Sequence, residues 1–280
     1  MRERLPVIGA YVLTGLLLIF ILAPVAVVVL GSVLNTRWLG VSSEQWVPGA
    51  EGLVTFRWFG YVLATYGRMI LFSLKLAVLS VVICIVVGVP AAYALVQHPF
   101  PGSRFVEELV LVPLSLPGIT LSIALIQAYA VWRGRWWLVL CGHLLYTIPF
   151  MVRVTSGALR SFDVAELERA AQTLGARFSQ RFFLVVLPSL RHAILVGSLL
   201  VFAISWGEFN VSYLLNTPLN QTYPAALYAT FTFNSFQVSS AATTLFLLGV
   251  LPVLLLLQRL GGGELGGELG GELVRIEQGA

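Results

Sequence analysis

Residues 163–190 read DVAELERAAQTLGARFSQRFFLVVLPSL, a charged, helix-forming interruption in a chain that is otherwise strongly apolar. Asp163 followed three residues on by Glu166 has the form of a capping box, Val164 to Leu174 is rich in Ala, Leu and Glu, and Gly175 supplies a C-terminal cap. The stretch predicts a helix of about three turns lying outside a bilayer, then a second helix from about Phe178 to Leu187 that Pro188 ends. A solvated linker is the plain alternative, since most loops merely connect. The strong caps count against it.

The rest of the chain explains why such a helix stands out. Of 280 residues, 58% are hydrophobic and only 11% are charged, which lies outside soluble globular usage and predicts a membrane protein. The net charge of +4 does not point to nucleic acid, because the Arg residues are spread among loops and no nucleic-acid-binding motif is present. Cys84 and Cys141 lie inside apolar runs and read as small buried hydrophobes; with His98, His143 and His192 they form no metal-ligand spacing. The sequence has no GxxxxGK[ST] phosphate loop and no GxSxG elbow. It therefore offers no catalytic residues and no ATP site of its own, and any energy source comes from elsewhere.

A spanning helix needs roughly 20 apolar residues to cross about 30 Å of hydrocarbon. Six segments qualify, giving an all-α polytopic fold: about Val7–Leu34, Met69–Val96, Leu109–Val131, Trp136–Val152, Ala193–Leu215 and Ala241–Leu257. The first follows MRER, but its run is longer than a signal core and lacks a clear small-residue cleavage site, so it reads as a retained signal-anchor. The fourth is short, and IPF at Ile148 to Phe150 is expected to kink it or end it early. Residues 1–258 thus form one transmembrane domain with a cytoplasmic loop at about 158–190. The Gly-rich tail 259–280, with its GGEL repeat, is expected to be a flexible cytoplasmic extension.

Arg placement sets the orientation, because cytoplasmic loops retain positive charge. With the N-terminus inside, the cytoplasmic side receives Arg2, Arg4, Arg104, Arg153, Arg160, Arg169, Arg177, Arg181, Arg191, Arg259 and Arg275. The outer side receives Arg37, Arg57, Arg68, Arg133 and Arg135, and its long loop from Asn216 to Ser240 carries no charge. Both termini, and residues 163–190, face the cytoplasm on this count.

Residues 169–188 resemble the cytoplasmic signature of the inner-membrane permease subunits of binding-protein-dependent ABC importers: EAA, three residues, Gly, nine residues, Ile, one residue, Leu-Pro. Ala170 and Ala171 match, Gly175 follows at the right spacing, Val185 stands at the Ile position, and Leu187 and Pro188 close the pattern. Arg169 stands where the signature has Glu, with Glu168 one place earlier; one residue on a helix is a rotation of about 100°. GVPAAYALVQHPFPGSRF at 88–105 and LVLVPLSLPGITLSIALI at 109–126 look like the spermidine/putrescine, phosphonate and iron branch, whereas WGEF at 206–209 is similar to sugar permeases.

The resemblance implies that the interruption is a coupling helix seated in a groove of an ATP-binding subunit, with Glu168, Arg169, Ala170, Ala171, Gly175, Leu187 and Pro188 as the coupling residues toward it, and with ATP and Mg²⁺ held on that partner. It also implies a second permease subunit, identical or paralogous, an external solute-binding protein, and residence in a bacterial or archaeal cytoplasmic membrane. The fifth span would line the translocation route.

Charges inside spans are expensive and usually face protein or water. Lys75 lies near the outer end of its span, where snorkelling is the plain reading. Glu208 sits in a polar cluster with Ser205, Trp206, Asn210 and Tyr213; these groups either brace helices or line a path for a small polar solute. One acidic group favours a cation of polyamine type. An ion-coupled carrier is the rival, but it usually shows internal repeats and more intramembrane titratable groups. An intramembrane enzyme would need a nucleophile and base that the sequence does not pair.

Overall fold

The computed structural model describes residues 4–34, 54–161 and 164–278. Among these residues the secondary structure is helical, apart from one isolated antiparallel bridge between Leu34 and Val54. In chain order the helices are α1 (Arg4–Gly31), α2 (Arg57–Gln97), α3 (Ser103–Ser115), α4 (Gly118–Ala128), α5 (Trp136–Ser161), α6 (Val164–Thr173), α7 (Phe178–Ser189), α8 (Arg191–Gly207), α9 (Asn210–Leu215), α10 (Tyr223–Phe233) and α11 (Phe236–Gln278). Two of them carry a π-helical turn, α2 at Cys84–Gly88 and α7 at Phe182–Val186.

Among the described residues four helices are long and apolar enough to cross a bilayer, within α1, α2, α5 and α11, and two bent pairs bring the number up to six where each pair is one span. The third expected span is one such pair: α3 and α4 meet at 104°. Pro117 is the cause, because a residue before proline is pushed out of the helical region, and Leu116 is extended at φ −89, ψ 134. The fifth is the other. Pro188 does not end α7 but sits in its last turn; the 69° bend falls at Leu190, and α8 then stops at Gly207 where an unbroken span to Leu215 was expected.

The remaining boundaries shift for identifiable reasons. α5 runs through Pro149 to Ser161, since a proline in a membrane helix is tolerated when packed neighbours hold the turn. The uncharged stretch 216–240 is not one long loop but contains α10 and the start of α11. The Gly-rich tail, expected to be unstructured, continues α11 to Gln278.

The chain divides into two compact units. The smaller comprises residues 4–34, 54–68 and 226–248, with a core of Trp58, Val62, Val238, Ala241 and Ala242. Within it Asn234 Nδ2 donates to Tyr66 Oη at 2.8 Å. The larger comprises 69–225 and 249–280 and is built around α5. One side of α5 joins α2, α4 and α9 through Leu76, Leu125, Leu138, Val139, Val211 and Leu215; its far end joins α2 and α7 through Tyr93, Val152, Leu159, Val186 and Leu190. Much of the chain's apolar side-chain surface stays exposed, α1 nearly all round, as expected where lipid is the solvent.

Candidate functional site

The interruption that marked the sequence folds as a helix followed by a tight reversal. α6 ends at Thr173, Gly175 takes φ +83, Gly175 N donates to Gln172 O at 2.9 Å and Ala176 N to Ala171 O at 3.0 Å. That pair of bonds is a Schellman motif, whose left-handed position glycine fills without a Cβ penalty. The expected C-cap is thus present. The expected N-terminal capping box involves Asp163, which lies outside the described residues. Arg177 N donates to Gln180 Oε1 at 2.8 Å and opens α7.

α6 has two faces. Val164 and Glu168, one turn apart, are buried, Ala171 is half-buried, and Leu167, Arg169, Ala170 and Leu174 are exposed. Leu174 is 88% exposed and Leu167 52%. Leu167, Ala170 and Leu174 follow a three- then four-residue spacing, so they form one apolar stripe beside the Arg169 cation. At the other end of the signature Leu187 is half-buried and Pro188 is exposed.

Glu168 was a candidate for that outer face, but the structure turns it inward. Tyr93 Oη donates to Glu168 Oε1 at 2.7 Å, and Arg181 Nε lies 3.5 Å from the same oxygen, an ion pair without hydrogen-bond geometry. The Tyr93 ring packs edge-on against Phe182 and His98, with centroids 5.1 and 5.3 Å away. His98 Nε2 is 3.3 Å from Tyr93 Oη; with the phenol proton given to Glu168, the imidazole is left the donor's role. Arg160 Nη2 donates to both oxygens of Glu107 at 2.9 and 2.8 Å and ties α5 to α3.

The second constellation lies inside the spans. Glu208 occupies the break between α8 and α9, is buried, and accepts from Val211 N on Oε1 and from Ser212 N on Oε2, each at 2.9 Å. Both carboxylate oxygens are therefore committed to the first turn of α9, where the helix dipole also favours an anion. Buried His143 of α5 lies between Ser205 Oγ at 2.8 Å on Nδ1 and Ser212 Oγ at 2.9 Å on Nε2. Ser205 Oγ in turn donates to Ser80 Oγ of α2 at 3.3 Å. One imidazole thus joins four helices.

Of the candidate lining residues, Ser205, Trp206 and Glu208 are buried in this chain, whereas Asn210 and Tyr213 are exposed. Trp206 packs beside Phe202 and Tyr223. Lys75 is exposed, as is Cys141, which had been read as buried; Cys84 is buried and its thiol donates to Thr147 Oγ1 at 3.4 Å. His143 left a sequence signal, being a polar ring in an apolar run. Tyr93 and Arg181 left none, since their partner lies on another element.

Comparison with known proteins bears on the family and the fold. The model of a family described as "Binding-protein-dependent transport system inner membrane component" matches residues 84–261. The chain is 32% identical over 183 residues to the molybdenum transport system permease protein ModB of Escherichia coli K12, covering 58% of this chain and 78% of that one. It is 29% identical over 185 residues to the spermidine/putrescine transport system permease protein PotC of the same strain, covering 65% and 70%. Among solved structures, a bacterial ABC transporter involved in the import of the acidic polysaccharide alginate aligns with a TM-score of 0.61 at 19% identity, over 91% of this chain and 94% of that one. The MetNI methionine ABC transporter aligns with a TM-score of 0.61 at 18% identity, over 71% and 95%. At those identities the structural likeness speaks for the fold.

Proposed function

The chain belongs to the binding-protein-dependent transport system inner membrane components and is an ABC importer permease subunit, and from that premise we propose that α6 is the coupling helix through which it engages a separate ATPase. The observation that carries this is the apolar stripe Leu167, Ala170 and Leu174, exposed on a capped helix outside the spans. A short helix that leaves Leu174 fully presented needs a partner groove to cover it. Arg169, Ala171 and Gly175 complete that face, and Leu187 and Pro188 shape the way into the fifth span.

On this reading the chain contributes half of a translocation pathway, with a second permease subunit supplying the other half. An external binding protein delivers the solute, and ATP with Mg²⁺ is bound and hydrolysed on the partner. Both termini and α6 face the cytoplasm, in keeping with the Arg count. Asn210 and Tyr213 on the exposed side of α9 are the lining candidates; Ser205, Trp206 and Glu208 stand behind them as support. The cargo is a small polar solute. A polyamine drew its support from the single acidic group at Glu208 and from the spermidine/putrescine resemblance; that carboxylate is committed to backbone N–H groups, so the residues of this site favour neither a cation nor an anion.

The test is affinity purification of the tagged chain from its native membrane. A phosphate-loop ATPase is expected to co-purify in stoichiometric amount, and Leu174→Glu to reduce its yield at least several-fold while membrane insertion is unchanged. Isolation as a lone active transporter would overturn the reading.

A further inference from the structure

Glu168 poses a problem that docking does not solve. It is the one carboxylate of the described α6 residues turned away from the exposed stripe, and it is only 8% exposed. A buried ion pair contributes less to stability than apolar residues of the same shape would, and its better-attested use is to fix one arrangement over others. The arrangement fixed here joins three separate elements at one oxygen atom. Tyr93 comes from the last turns of α2, Glu168 from α6, and Arg181 from the start of α7, which leads through the bend at Leu190 into α8.

Two further features mark this meeting point. The π-helical turn of α2 ends five residues before Tyr93, and that of α7 begins at the residue after Arg181. Such turns are rare and concentrate where helices work under local constraint. The aromatic rings of Phe182 and Phe178 also close on Tyr93, excluding water and strengthening the hydrogen bond that the carboxylate accepts.

We propose that the Glu168 carboxylate is a positioning joint, linking α6 through Tyr93 to the second span and through Arg181 to the segment that enters the fifth, so that force on the exposed stripe reaches both. The inference rests on α6 being the coupling helix, and it reverses the role expected of Glu168. The residue does not contact the ATPase; it holds the helix that does. The two arms are separable, because a glutamine at 168 still offers an oxygen to Tyr93 but has no charge for Arg181, whereas Tyr93→Phe keeps the ring packing and removes only the hydroxyl.

Hydrogen–deuterium exchange in lipid nanodiscs tests this without knowledge of the solute, comparing the chain alone with the chain bound to its purified ATPase. In the wild type, docking is expected to slow exchange roughly tenfold in α6, at residues 91–97 and at residues 181–190. With Tyr93→Phe the protection at 91–97 disappears while that in α6 remains. Glu168→Gln shows the converse, losing protection at 181–190 and keeping it at 91–97. Docking that protects α6 alone in the wild type, or Tyr93→Phe and Glu168→Gln chains whose protection pattern matches the wild type, overturns the joint. Loss of ATPase binding in both variants overturns it too, since the residue would then belong to the docking face. An ATPase that binds with no protection of α6 refutes the coupling assignment itself.

Discussion

Gly175 stands at φ +83 with no atom within 4 Å of where a Cβ would lie, so a side chain there meets backbone strain and no collision. Gly175→Val is expected to cost about 1–2 kcal/mol, more than Gly175→Asn, because a β-branched residue tolerates the left-handed region least. The ATPase yield in the co-purification assay should fall in that order, with insertion unchanged. Glu208 has the opposite character: its role lies in its side chain. Glu208→Ala leaves the Val211 and Ser212 amides without their acceptor and should lower stability by about 2 kcal/mol or more. Glu208→Gln retains one acceptor oxygen and should lose about half as much. Thermal unfolding in detergent checks both, and melting temperatures equal to that of the wild type for both variants would show that the cap contributes nothing.

Helices in this fold approach one another through positions that admit no side chain. A Cβ on Gly142 of α5 would overlap Val211 Cγ1 of α9 and crowd Leu215. Gly142→Ala should therefore displace α9 and cost about 1–3 kcal/mol, read as a lower melting temperature and faster exchange at 210–215. The elements were legible in the sequence to the extent that solvent dictates them. Hydrocarbon demands about 20 apolar residues per crossing, and four of the six segments reach that length, Trp136–Val152 and Ala241–Leu257 falling just short of it. Breaks were harder. Pro117 bends the third span, yet Pro149 leaves α5 intact, because what decides is whether packed neighbours hold the turn. Glu208 was conspicuous as a charge among apolar residues, but its two-oxygen cap depends on where the chain folds back. The contact between Tyr93 and Glu168 spans 75 residues, and no local pattern encodes it.

For the whole molecule, sidedness is the first thing to establish. Leu174 and Leu219 are 88% and 86% exposed and belong to segments assigned to opposite sides of the bilayer. In a Cys141→Ser background, which removes the exposed native thiol while buried Cys84 stays protected, each can be replaced by cysteine in turn. A membrane-impermeant maleimide should label L174C in inside-out vesicles and L219C in right-side-out ones; the reverse pattern would invert the topology. The wide turn at Cys84–Gly88 carries a last consequence, and it concerns tolerance to lost residues. A π-helical turn holds one residue more than an α-helical turn, while the segments on either side keep their facing. Removing Val86, which is exposed, should let that turn relax to ordinary pitch with Tyr93 still aimed at Glu168. Removing Leu79 from the regular part of the same helix should swing everything beyond it by about 100° and separate the pair. A chain lacking Val86 that still assembles, beside one lacking Leu79 that does not, would identify the wide turn as an accommodated insertion, a slack link in an otherwise fixed register.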